Sequence, residues 1–144
     1  MSELKNANLK NIRIFLIALI LIFIIVLKPP MKSSLEKSMA VVSSAQQHIN
    51  SFHVEYALVD GRVISENSKN GLLGLSSNRA ELLKLQGSNE KIIIWHKNAK
   101  VWQIQKQNGE SILNYSDIAK KRYLFLLFLS CGLLLIFFFL PKLI

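Results

Sequence analysis

The sequence predicts a membrane protein of α+β class: two transmembrane helices flanking one small domain with an antiparallel sheet and one or two helices. Three observations carry this. Two long apolar runs lie near the ends of the 144-residue chain, and two-residue turn signals recur between them. The stretch between the runs also switches from helical to alternating hydrophobic periodicity. The hydrophobic share of 51% only slightly exceeds that of an ordinary soluble domain, so its placement matters more than its size.

The first run, Ile14 to Leu27, holds fourteen residues without a polar side chain. At about 1.5 Å per residue it measures roughly 21 Å, the length of a signal-peptide core, and Lys5, Lys10 and Arg13 precede it. No small-x-small cleavage site follows promptly, and the run exits into "KPPMK", so an uncleaved anchor is expected, with a transmembrane helix over 14–31 after a tail of residues 1–13. Arg13 and Lys28 can snorkel towards the headgroups and lengthen the effective span. The second run, Tyr123 to Leu140, is interrupted only by Ser130, Cys131 and Gly132. It measures roughly 27 Å by the same rise, close to the ~30 Å hydrocarbon core, and predicts a span over 120–141 before a tail of 142–144. Lys120, Lys121 and Arg122 then fall at the membrane surface.

The middle, residues 32–119, reads as the soluble α+β domain. Ser33 and Glu36 have capping-box spacing, and Leu35, Met39, Val42, Ala45 and Ile49 recur at three- and four-residue steps, which predicts a helix over about 34–50. From Phe52 the period becomes two. Asp60-Gly61 predicts a type I′ hairpin with Val59 opposite Arg62, placing Phe52, Val54, Tyr56, Leu58 and Val63 on the core face. A Gly/Ser/Asn-rich connection follows, then a short helix capped by Asn78 with Glu81 and closed by Gly87. A turn at Asn98-Ala99 sets Trp95 opposite Trp102 and Ile93 opposite Ile104. A second at Asn108-Gly109 brings in Ser111 to Tyr115, with Leu113 opposite Ile104 and Tyr115 opposite Trp102, completing a three-stranded meander.

Chemistry is sparse. His48, His53 and His96 lie on separate elements, and the single cysteine, Cys131, sits in the second span, so no metal set assembles from the sequence and no disulfide can form in the middle. No nucleophile elbow, phosphate loop or paired-carboxylate motif occurs, so no enzyme and no cofactor are expected. The pI near 9.9 comes from lysines scattered over the middle, without the clustered basic face of a nucleic-acid binder. The spans carry no internal charge, which argues against a transport pathway.

Positive-inside counting ties around the first span, and around the second Lys120, Lys121 and Arg122 outweigh Lys142, which favours a cytoplasmic middle. A charged N-terminal tail before a short apolar anchor favours the opposite, and on that arrangement the expectation is a bacterial inner membrane with both termini cytoplasmic and the middle periplasmic.

The expected function is a non-catalytic accessory or scaffold subunit of an inner-membrane complex. Its partners are the lipid bilayer and another membrane or envelope protein, with no nucleic acid. Contacts are expected at exposed parts of Trp95, His96 and Trp102 and along the loop from Ser65 to Asn78, because Trp is enriched at binding hot spots. Two alternatives are an immunity or superinfection-exclusion protein that binds a toxin or phage component at the membrane, and a small membrane-anchored ligand-sensing module.

Overall fold

A computed structural model describes residues 2–69 and 79–143. Among them are three α-helices and a six-stranded, wholly antiparallel sheet. The chain divides into two compact units, residues 30–121 and the pair of segments 1–29 and 122–144.

The second of these is built from helix α1 (Ser2–Leu27) and most of helix α3 (Tyr115–Leu143). Both helices are long and apolar enough to cross a membrane: Lys10–Leu27 has a mean hydropathy of 2.6 and Tyr115–Phe139 of 2.3. Their apolar side chains are mostly exposed. The Arg13 guanidinium lies 5.1 Å from the Phe137 ring, which sets the start of the apolar part of α1 beside the end of that of α3. Helix α1 stops at Leu27, ahead of Pro29 and Pro30, and Lys28 closes the last turn by donating to the Ile24 carbonyl. Helix α3 begins at Tyr115, five residues before the span expected from the apolar run.

The unit of residues 30–121 holds strands β1 (Glu36–Gln47), β2 (Ser51–Leu58), β3 (Val63–Lys69), β4 (Ile92–Lys97), β5 (Lys100–Lys106) and β6 (Ser111–Leu113), with the short helix α2 (Arg79–Leu85) between β3 and β4. The order across the sheet is β3-β2-β1-β4-β5-β6. Two three-stranded meanders thus join through their first strands.

Residues expected to form a helix over 34–50 therefore form the central strand. Only a 3-10 turn, Lys32–Ser34, precedes it, and the Ser34 hydroxyl donates to the Met31 carbonyl instead of capping a helix. The misleading signal has a physical source. Val42 pairs with Tyr56 and Ser44 with Glu55, so Ser43 is an extra residue, a β-bulge whose hydroxyl donates to the Glu55 carbonyl. Inward-facing residues consequently run Ala40, Val42, Ala45, with a step of three that imitates a helical stripe. The other members of that stripe do not share the burial: Met39 and Ile49 are exposed.

The β2–β3 register also differs by one residue from the expected pairing. Leu58 exchanges hydrogen bonds with Arg62 and Gly61, leaving a three-residue loop in which Gly61 takes a φ of +85°. Ala57 then faces Val63, and a slip of one residue reverses every side chain, so Ile64 enters the core while Val63 is 62% exposed. The turn at Asn98-Ala99 does form with positive φ at both positions, but Val101 pairs with His96 and Gln103 with Trp95. Trp102 is the bulged residue between them, so it does not face Trp95, and Ile104 pairs with Ile94 instead of Ile93. Leu113 does face Ile104. Strand β6 ends there, and Tyr115 starts α3 instead of extending the strand; its ring still packs on Trp102, 6.2 Å between centroids.

In a flat sheet β3 and β5 would stand four strand spacings apart, about 19 Å. Here they touch, so the sheet curls strongly. Its concave face encloses Phe52, Val54, Tyr56, Ile92, Ile94 and Ile104, all fully buried, and Leu82 and Leu85 of α2 close over them. The expected short helix is thus in place, ended by Gly87 at a φ of +74°. Its expected N-cap, Asn78, and the loop up to it from residue 70 lie outside the described residues.

Candidate functional site

Strand alternation places Trp95 and His96 on opposite faces of the sheet. His96 turns inward, is only 4% exposed, and its Nε2 lies 2.9 Å from the Ser38 hydroxyl. Trp102 is likewise 4% exposed, covered by Tyr115 and by the Lys100 ammonium 5.4 Å from its ring. Of the three expected contact residues, Trp95 alone offers surface, half-buried on the convex face with Lys37 Nζ 5.4 Å from its ring centroid. Ser65 to Lys69 belong to strand β3, not to a loop.

The convex face is built of rows that run across the strands. Val63, Ala57 and Val41 lie side by side on β3, β2 and β1. Met39 faces Ile93 across β1 and β4, and Lys37 faces Trp95 in the next row. Val63, Ala57, Val41, Met39, Ile93 and Trp95 therefore form one apolar tract over four strands, with none of the six fully buried. Around it the rows turn polar: Ser44 with Glu55, Gln46 with His53, Ser65 and Asn67 on β3, Gln103 and Gln105 on β5. On that side His53 Nε2 lies 3.4 Å from the Glu55 carboxylate. An apolar centre with a polar, partly solvated rim is the anatomy of a protein-binding surface.

A second feature adjoins the tract. Arg62 bridges the Glu36 carboxylate of β1 and the Asp60 carboxylate of the β2–β3 turn, and its backbone N–H donates to Asp60 Oδ1 at 3.0 Å. Hydrogen bonds from the guanidinium hold both carboxyls below their ordinary range, and the pair in turn raises Arg62. An open cleft of about 380 Å³ lies beside this tie, lined also by Lys37, Ser38, Met39 and Val59. It is large enough for a small molecule. Both of its cations are already engaged, Arg62 by the carboxylates and Lys37 over Trp95, so it offers no uncommitted charge to orient a ligand.

Two further groups are chemically notable. The Tyr56 hydroxyl is buried in the core without a hydrogen-bond partner, and burial, reinforced by the Glu66 carboxylate, pushes the phenol well above its ordinary value. Lys106 at the end of β5 is bound by Glu110 at 3.0 Å and by Glu81 of α2 at 3.3 Å, which raises the ammonium and lowers the Glu110 carboxyl. Among the described residues no three His, Cys, Asp or Glu side chains converge as a metal set would. Of the cations expected at a membrane surface, Lys28, Lys120 and Lys121 are exposed, and Arg122 and Arg13 are half-buried.

The scan against protein-family models, the search of curated proteins and the search of solved structures each returned no match.

Proposed function

We propose that this chain is a non-catalytic accessory subunit of a bacterial inner-membrane complex. Helices α1 and α3 anchor it, and the curled sheet binds a partner membrane or envelope protein close to the bilayer. The reading places both termini in the cytoplasm and the sheet in the periplasm. One observation carries it: the apolar tract from Val63 to Trp95 on the convex face, which gathers side chains from four strands and serves no purpose in the domain's own core. An exposed contiguous patch of this kind marks an interaction site more often than an accident of packing.

The test is photocrosslinking in native membranes. A photoreactive residue at Met39 or Ile93 should yield one discrete adduct with a second protein, and one at Asn67, in the polar part of the same face, should not. Equal adducts from the apolar positions and from Asn67, or none from either apolar position, would refute the assignment.

A further inference from the structure

The chain comes into the sheet unit at Pro30, three residues after α1 ends, and leaves it through α3, which starts at Tyr115. These two points touch: the Tyr115 hydroxyl donates to the Pro30 carbonyl at 2.6 Å. The registers bring two hairpin tips to the same end of the sheet. Val59 to Arg62 lies beside the start of β1, with the Val59 N–H donating to the Met39 carbonyl, and Asn98-Ala99 lies beside it on the other side, where His96 faces Glu36.

Charge is divided unevenly between the two ends. At the end where the chain comes and goes stand Lys32, Lys37, Arg62, Lys97, Lys100 and the pair Lys120-Lys121, against the carboxylates Glu36, Asp60 and Asp117. The five cations and five carboxylates on the rest of the unit balance. The whole net charge of residues 30–121, +4, thus resides at one end. Glu36 and Asp60 are moreover engaged by Arg62. The Lys97 ammonium reaches the Ser34 hydroxyl at 3.2 Å, and those of Lys37 and Lys100 lie over indole rings. Among them two apolar side chains project, Met31 at 73% exposure and Val59 at 69%.

Lysines ringing a few exposed apolar side chains, with Trp102 and Tyr115 behind them, are what the headgroup layer of an anionic bilayer attracts. We propose that this end of the sheet docks on anionic lipid: Met31 and Val59 enter the headgroup layer, and Lys32 and Lys97 pair with lipid phosphates. The surface is distinct from the apolar tract proposed for the partner. The proposal rests on α1 and α3 being spans, which resistance to alkaline carbonate extraction tests separately.

The experiment uses the full chain with Cys131→Ser, reconstituted in nanodiscs of phosphatidylcholine with or without phosphatidylglycerol. An environment-sensitive fluorophore is attached at Val59→Cys or, as the opposite-end control, at Gln107→Cys. Adding phosphatidylglycerol should shift the position-59 probe to a drier spectrum and shield it from an aqueous quencher, with position 107 unchanged. Lys32→Gln and Lys97→Gln should each lower the docked-to-free ratio about fivefold, the equivalent of about 1 kcal/mol per cation. Unchanged circular dichroism would show that these variants remain folded. A position-59 probe equally wet in both lipids, a matching shift at 107, or a lipid response untouched by the lysine substitutions would overturn the proposal.

Discussion

Ile93 and Ile94 are neighbours in sequence and identical in chemistry, yet they meet opposite environments. Ile94 lies on the concave face, fully buried and paired with Ile104; Ile93 lies on the convex face, half-buried, opposite Met39. The curl of the sheet makes the difference. By bringing β3 against β5 it lets one face close on itself under the seven-residue helix α2, and leaves the other face without a cover among the described residues. A residue's hydrophobicity therefore says nothing here about whether it stabilises the fold or serves something outside it; the face does.

The contrast is broken most directly by truncation. Ile94→Ala should destabilise the unit by about 2–5 kcal/mol, the usual cost of a cavity in a well-packed core, whereas Ile93→Ala should cost under about 1 kcal/mol. Chemical denaturation of the full chain followed by tryptophan fluorescence measures both, and similar losses would abolish the distinction between faces. Next in size is a change of function without a change of stability. Ile93→Glu puts a charge at the centre of the apolar tract and should reduce the partner adduct tenfold or more, a hot-spot effect, with an unaltered denaturation midpoint.

A smaller effect sharpens the description of the concave face. Tyr56→Phe removes a buried hydroxyl that has no partner and should stabilise the unit by about 1 kcal/mol; a loss of stability would mean that the hydroxyl is satisfied after all. The smallest concerns the Arg62 tie. Glu36 and Asp60 have carboxyls below their ordinary 4.5 and 3.8, so the unfolded chain binds more protons than the folded one in acid. Their contribution is complete above those ordinary values and disappears as the pH falls through the lower folded ones. All three groups are exposed, so the effect is slight. Arg62→Gln should flatten that acid limb of the stability profile and leave neutral stability nearly unchanged; an unaltered limb would remove the tie from the account.

How much of this was legible in the sequence depended on whether local pattern and tertiary partner agreed. The β4–β6 meander was readable because positive-φ residues at Asn98-Ala99 and Gly109 set its turns, and the Ile104–Leu113 pair followed from them. Strand β1 was not, because the Ser43 bulge breaks its alternation and because its partner on one side, β4, is far away in sequence. The Asp60-Gly61 turn was found but not its length: three loop residues instead of two moved Val63 outward and Ile64 inward. The site suffered most from the first of these. With β1 read as a helix, Met39 could not be seen to face Ile93, nor Val41 to face Ala57, and Trp95 alone remained of a tract of six. Trp102 was misplaced by its own bulge, and His96 by the inward turn its strand gives it.

The bond between the Tyr115 hydroxyl and the Pro30 carbonyl has a mechanical consequence. It fastens the two points through which any tension on the chain enters the sheet unit, and both lie at the same end of the strands. Force that parts them acts across the ladder instead of along it, so after this bond yields, the strands peel one rung at a time. The unit is built to give way gradually, like a zip, and single-molecule extension from its two ends should show low, stepwise yielding; one abrupt high-force rupture would be incompatible with that geometry.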